Sequence, residues 1–140
     1  MSDALRISEA ASLALHAMVF LASSADKRVA ACEIASQLHV SEAHLAKVLQ
    51  RLAKVGLVRS TRGPKGGFVL GKPSGQLTLL EVYEAVEGPL STSNCLLGLQ
   101  GCGAKRCILG GLAGLVNARV RDYLAGTPLS ELSDVFQPAS

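Results

Sequence analysis

Residues 41–70, SEAHLAKVLQRLAKVGLVRSTRGPKGGFVL, run through a helix, a strand, a glycine-rich turn and a second strand without interruption. Ser41 offers the side-chain oxygen favoured at a helix N-cap, and Leu45, Val48, Leu49 and Leu52 recur at the three- and four-residue steps of one helical face. Glu42, His44, Lys47, Gln50, Arg51 and Lys54 fall on the outward face, and Gly56 ends the helix. Leu57 to Thr61 predicts a strand, Arg62 to Gly67 a turn, and Phe68 to Leu70 the returning strand. A glycine-rich hairpin tip lets the backbone approach a phosphate or a minor groove, and Arg62 and Lys65 place positive charge beside it.

Working outward, Ala31, Ile34, Ala35 and Leu38 predict a short helix, and His39 and Val40 a tight turn before Ser41. Two helices joined by a short turn, the second with a basic outer face, form the arrangement that sets a recognition helix in the major groove, and the hairpin after them reads as a wing. Upstream, Ser8 caps a first helix, with Leu13, Ala14, Ala17, Met18 and Leu21 as its apolar stripe, to about Ala22. Downstream, Thr78 caps a helix carrying Leu79, Val82, Tyr83 and Val86, which Gly88 and Pro89 stop. A long helix is predicted from Cys107 to Leu124, with Leu109, Leu112, Val116, Val120 and Tyr123 at steps of three and four. Thr127 and Pro128 start a short last helix through about Val135, with proline at its favoured first position.

The expected fold is therefore mainly α with a small β-wing, a winged helix-turn-helix plus a long C-terminal dimerisation helix. Three segments follow: 1–88, the winged helix-turn-helix DNA-binding domain; 89–107, a cysteine-rich cluster-binding loop; and 108–140, the dimerisation helix and C-terminal tail. A long amphipathic helix at the end of so small a domain has little core of its own. A symmetric dimer would bury it and would present two recognition helices to a palindromic site.

Charge distribution supports that reading more than net charge does. The net charge is only +3, but seven of the fourteen Lys and Arg residues lie between Lys47 and Lys72, and no acid occurs from Ala43 to Leu80. The longest apolar stretch, about Ala10 to Ala22, falls short of the roughly 20 residues that cross a bilayer. It also follows Asp3 and Glu9 rather than a basic leader, so the expected location is the cytoplasm, with no membrane partner.

Cys95, Cys102 and Cys107 lie within thirteen residues of the glycine-rich loop CLLGLQGCGAKRC. In a reducing compartment a structural disulfide framework is improbable, which leaves metal binding or redox chemistry as the reason for the clustering. Thiolates are the standard ligands of iron–sulfur clusters, Gly98, Gly101 and Gly103 let the loop turn its sulfurs toward one point, and Lys105 and Arg106 would favour the thiolate form. A Cys-x6-Cys-x4-Cys spacing is looser than the usual zinc knuckle, but structural zinc and a reversible disulfide stay open beside a cluster. With no Cys-x-x-Cys pair, no Ser, His and Asp constellation and no phosphate-binding loop, a thiol-redox enzyme is a remote alternative and a small-molecule substrate is not expected.

The runs LAKVLQRL, GLVRS and RGPKGGFVL, with LRIS at 5–8, LTLLEVYEAVEG at 77–88 and the three-cysteine loop, resemble the IscR/NsrR type of winged-helix iron–sulfur transcriptional regulators over most of the chain. The resemblance implies a dimeric DNA-binding regulator whose affinity follows a cluster that reports redox state, nitric oxide or iron and cluster status. By position it places Cys95, Cys102 and Cys107 as cluster ligands, and it favours a 2Fe-2S over a 4Fe-4S centre. Ser41, His44, Lys47, Arg51, Arg59, Arg62 and Lys65, with Pro64 and Gly66 of the wing tip, fall on the surfaces used for DNA. Some relatives place a histidine three residues after the last cysteine, where this chain has Gly110. The resemblance then points to His16 on the first helix as fourth ligand. Glu9, Ser12 and Cys32 come after it, although His16 also suits a histidine at the core edge and Cys32 a small buried residue. His39 reads as structural.

Overall fold

The computed structural model describes residues 5–24, 27–90, 97 and 102–136. Three hydroxyl side chains set the starts of its main helices. Ser8 accepts the Ala11 N–H at 3.1 Å ahead of α1 (Glu9–Ser23), Ser41 the His44 N–H at 3.3 Å ahead of α3 (Glu42–Lys54), and Thr78 the Glu81 N–H at 3.2 Å ahead of α4 (Leu79–Glu87). Between the first two lies α2 (Ala31–Leu38), which ends because His39 takes the left-handed conformation at φ 57°. The Val40 N–H then closes on the Ala35 carbonyl at 3.0 Å, which makes the turn of a helix-turn-helix.

One core joins these helices. Ala14, Ala17 and Met18 of α1, Ile34 of α2, Leu45, Leu49 and Leu52 of α3, and Val82 of α4 are all fully enclosed. Each buried Leu or Ile contributes about 1.5–3 kcal/mol of transfer free energy. The alanines on α1 let its neighbours approach closely, so this helix packs against both α3 and α4.

Strands β1 (Val58–Thr61) and β2 (Gly67–Leu70) pair antiparallel, with Val58 opposite Leu70 and Thr61 opposite Gly67. Val29 adds a bridge on the far side of β2: its N–H donates to the Phe68 carbonyl at 3.0 Å and its carbonyl accepts the Phe68 N–H at 2.8 Å. The wing is thereby fixed to the segment that leads into α2. Past α4, the backbone of Leu77 to Leu79 pairs with that of Thr127 to Leu129, through Leu79 N–H to Thr127 O at 3.1 Å and Leu129 N–H to Leu77 O at 2.8 Å. Leu77 and Leu129 are both fully buried there, which locks the end of the chain onto the start of α4.

Two boundaries differ from the sequence expectation. The long helix does not begin at Cys107: α5 spans Leu112–Ala125, because Gly110 (φ 60°) and Gly111 (φ 83°) both adopt left-handed conformations that an α-helix excludes. The last helix shrinks to a 3-10 turn over Leu129–Leu132, with Pro128 extended before it rather than in its first turn. Pro128 is held in an isolated bridge with Thr78, and that pairing outweighs the preference of proline for a helix start. The wing itself depends on a close backbone approach. The Gly71 N–H donates to the Leu57 carbonyl at 2.8 Å, and a Cβ at Gly71 would stand 2.1 Å from the Gly56 carbonyl oxygen. Gly71→Ala should therefore lower the unfolding free energy by about 1–3 kcal/mol, the usual range for overpacking against an unyielding neighbour. A urea unfolding curve of wild type and variant checks it.

Candidate nucleic-acid interface and cysteine loop

Helix α3 and the wing present their basic side chains on the surface. Lys47, Arg59, Arg62, Pro64 and Lys65 are exposed, Ser41 is exposed at the cap, and Gly66 closes the wing turn by donating its N–H to the Gly63 carbonyl at 2.9 Å. Arg59 on β1 also reaches the Gly71 carbonyl at 3.4 Å. His44, in the first turn of α3, pairs through Nδ1 with the Glu9 carboxylate at 3.3 Å. Glu9 comes from the first turn of α1, so the contact crosses thirty-five positions of sequence, and no local pattern announced it.

Arg51, expected on the DNA face, is exposed on α3 and also reaches the end of α4. Its guanidinium donates to the Val86 carbonyl at 2.5 Å, at the C-terminal end of α4 where helix carbonyls lack partners and carry partial negative charge. A second arginine works on the same segment: Arg121 of α5 donates to the Leu90 carbonyl at 2.7 Å, while the Leu90 N–H donates to the Glu84 carboxylate at 2.8 Å. The stretch from Glu84 to Leu90 is thus bonded to α3 on one side and to α5 on the other, immediately before the cysteine loop. Neither Arg121 nor Glu84 stood out in the sequence, because each finds its role only through tertiary contact.

Cys95 lies outside the described residues. Cys102 and Cys107 are exposed and free, and so is Cys32, which sits on the outer side of α2 rather than in the core. The Cys107 thiol is held below the ordinary cysteine range by the backbone N–H of Gly111, then by that of Leu109, with burial opposing them and the Gly110 N–H adding least. The Leu109 N–H lies 3.4 Å from the sulfur. Lys105 and Arg106, expected to play this part, do not contribute to the shift. A thiolate-favouring cysteine beside a second exposed cysteine on a glycine-rich loop is a donor set that suits an iron–sulfur cluster. Among the described residues no three His, Cys, Asp or Glu side chains converge on one point. His16 is exposed on α1, next to the Phe136 ring. Its Nδ1 lies 2.7 Å from the Ser12 carbonyl, which can only accept. Nδ1 therefore carries the hydrogen, and Nε2 of the neutral ring keeps its lone pair for a ligand.

Helix α5 buries only Leu124 and leaves Leu112, Leu115, Val116 and Tyr123 exposed. Their face continues into a groove of about 810 Å³ that runs between α4, α5 and the segment before α1, with Ile7, Leu15, Tyr83 and Val120 among its walls. Among the described residues no helix is long and apolar enough to cross a membrane.

A helix-turn-helix with a basic wing, followed by a separate helix with an open apolar face, defines a winged-helix transcriptional regulator rather than an enzyme. The model of the Rrf2 family, iron-dependent transcriptional regulators, matches residues 7–135, and this chain belongs to that family. It is 32% identical over 130 residues to the HTH-type transcriptional regulator IscR of Xenorhabdus nematophila, a match that covers 91% of this chain and 79% of that protein. Its fold is similar to that of CymR, the global cysteine regulator of B. subtilis, at a TM-score of 0.79 and 25% identity over 95% of this chain and 99% of that one. The fold of T. potens IscR is similar too, at a TM-score of 0.74 and 23% identity over 98% and 94% of the two chains.

Only the thiolate reacts with an alkylating agent. A lowered Cys107 pKa therefore raises the thiolate fraction at every pH below the ordinary thiol range. The iodoacetamide reaction rate of Cys107, followed by peptide mass spectrometry against pH, should show a midpoint below that of free cysteine.

Proposed function

We propose that this Rrf2-family regulator works in the cytoplasm as a homodimer on a palindromic operator, and that its DNA affinity follows an iron–sulfur cluster reporting redox state, nitric oxide or iron and cluster status. Helix α3 would enter the major groove, with Ser41, His44 and Lys47 toward DNA. Arg59, Arg62, Pro64, Lys65 and Gly66 would bring the wing to the backbone. Arg51, exposed on the same helix, would face DNA as well while it holds α3 to α4. The open face of α5 and the groove beside it would be covered by the second subunit.

Cys95, Cys102 and Cys107 would hold the cluster, 2Fe-2S in preference to 4Fe-4S, with His16 from the other subunit as fourth ligand. The observation that carries this reading is Cys107: an exposed sulfur that backbone donors hold toward the thiolate form has the character of a ligand rather than of a packing residue. When bound, the cluster supplies a centre that reacts with oxidants or nitric oxide. The chain's own part is mechanical. The loop leaves α4 at Leu90, where Glu84 and Arg121 grip it, and α4 is bonded to α3 through Arg51. A change in the order of the loop therefore bears on α5 and on α3 together, which alters how the two winged modules meet the half-sites.

A second reading, a cluster-free switch that uses a reversible disulfide or zinc, is favoured by the free exposed thiols of Cys102 and Cys107 and by the fold shared with CymR. One preparation separates the two. Protein purified without oxygen should be brown, with bound iron and sulfide, and Cys102→Ala should be colourless. DNA affinity should then differ between loaded and apo protein. A colourless wild type, even after reconstitution, would leave the thiol or zinc switch. Equal binding of one operator by loaded and apo forms would end cluster control of that operator.

A further inference from the structure

We infer that Gln50 is a specificity-determining residue: its side-chain amide reads an adenine of the operator in the major groove, through hydrogen bonds to N6 and N7. This rests on the proposal that α3 is the recognition helix and deepens it by naming a base.

The placement follows from how α3 packs. Leu45, Val48, Leu49 and Leu52 are buried on one side of the helix. At about 100° per residue, Ala43, Lys47, Gln50 and Lys54 fall within about 30° of the line opposite that side. All four are exposed. His44 and Arg51 lie on one flank of that line, and each has a partner elsewhere in the protein, the Glu9 carboxylate for His44 and the Val86 carbonyl for Arg51. Among the described residues, the side chains of Lys47, Gln50 and Lys54 have none. The ridge of α3 that stands furthest from the core is therefore also its unpartnered one, and it carries no acid.

On that ridge only Gln50 holds a donor and an acceptor on one planar group. The major-groove edge of adenine presents the complement, the N6 amino group as donor and N7 as acceptor, and a glutamine amide meets both at once. Guanine presents acceptors only, cytosine a donor and thymine an acceptor beside a methyl group, so each leaves part of the amide unpaired. Lys47 and Lys54 stand a turn before and a turn after Gln50, and their charges suit phosphates whatever the sequence. A neutral amide between them releases no counterion and adds little to general affinity, so its contribution is discrimination. Leu49 beside it is fully enclosed, which fixes the backbone that carries the amide. A helix laid in the groove reads bases from successive turns of one face, as homeodomain helices do, which brings a residue past the middle of α3 into range.

The test uses full-length wild type, Gln50→Ala and Gln50→Glu, purified without oxygen, each with its melting temperature recorded. Alanine suits an exposed helical position, so Gln50→Ala should melt with the wild type. The probe is a duplex that the wild-type protein selects from a randomised pool, before or after its iron is removed with a chelator. Each adenine of a half-site is replaced in turn by purine, which lacks the N6 amino group, and by 7-deazaadenine, which lacks N7. At one adenine per half-site each replacement should weaken wild-type binding by about fivefold, the size of one hydrogen bond. Gln50→Ala should bind the intact duplex and the duplexes substituted at that position alike, with the salt dependence of binding unchanged. Gln50→Glu should prefer cytosine there, because a carboxylate accepts from the cytosine amino group. Undiminished discrimination by Gln50→Ala at every adenine, no adenine at which both atoms count, or a retained preference of Gln50→Glu for adenine would overturn the inference. So would a loss in Gln50→Ala that is as large on random duplexes as on the selected one. A wild type that selects no sequence from the pool would instead bring down the DNA-binding proposal itself, and this inference with it.

Discussion

The C-terminal end of α4 is where the parts of this protein are tied together. A helix ends with carbonyls that have no partner along the chain, and here those groups and the residues just beyond them are bonded from both sides. The Gly88 N–H returns to the Glu84 carbonyl at 2.9 Å, Arg51 takes the Val86 carbonyl, Glu84 takes the Leu90 N–H and Arg121 takes the Leu90 carbonyl. Hydrogen bonds to charged groups contribute about 1.5–3 kcal/mol when shielded. At these partly exposed positions solvent reduces that figure, so the greater effect is on geometry. The start of α4 is pinned too, by backbone pairing with Thr127 and Leu129. With both its ends held, α4 becomes the reference against which α3 and α5 are placed.

Helix α1 supplies the complementary constraint. Its buried side includes Ala11, Ala14 and Ala17, small enough for α3 and α4 to lie close to it. Close approach at that face carries the first turn of α1 to the first turn of α3, where Glu9 meets His44. The same helix exposes His16 on a different side, beside Phe136. Helix α1 thus presents polar side chains toward the start of α3 and toward the outer flank at once.

Most of the fold was legible in the sequence because its determinants are local. Ser8, Ser41 and Thr78 read as caps and act as caps, and the three- and four-residue steps of α1 to α4 mark the buried faces. The wing was legible from its glycine-rich turn between two apolar runs. Arg51 was legible in part: its outward position on the helical wheel is correct, but the carbonyl that it also reaches lies thirty-five residues away, beyond any local pattern. Cys32 failed in the opposite sense, since one step off an apolar stripe was enough to expose it. For the loop, the sequence supplied the sulfurs but not the groups that act on them, because backbone N–H donors leave no trace in residue type.

The misplaced start of α5 and the character of Cys107 share one cause. Apolar periodicity alone would carry the helix back to Cys107, and in such a helix the Gly111 N–H would be spent on the Cys107 carbonyl. Left-handed Gly110 and Gly111 break that pattern: the Gly110 N–H takes the Cys107 carbonyl at 3.0 Å, and the N–H groups of Leu109 and Gly111 act chiefly on the sulfur. N–H groups gathered by left-handed residues favour an anion, and here they favour the thiolate form of Cys107. The glycine pair that shortens the helix therefore also favours the thiolate form of the cysteine before it. Because the donors belong to the backbone, this property does not rely on Lys105 or Arg106.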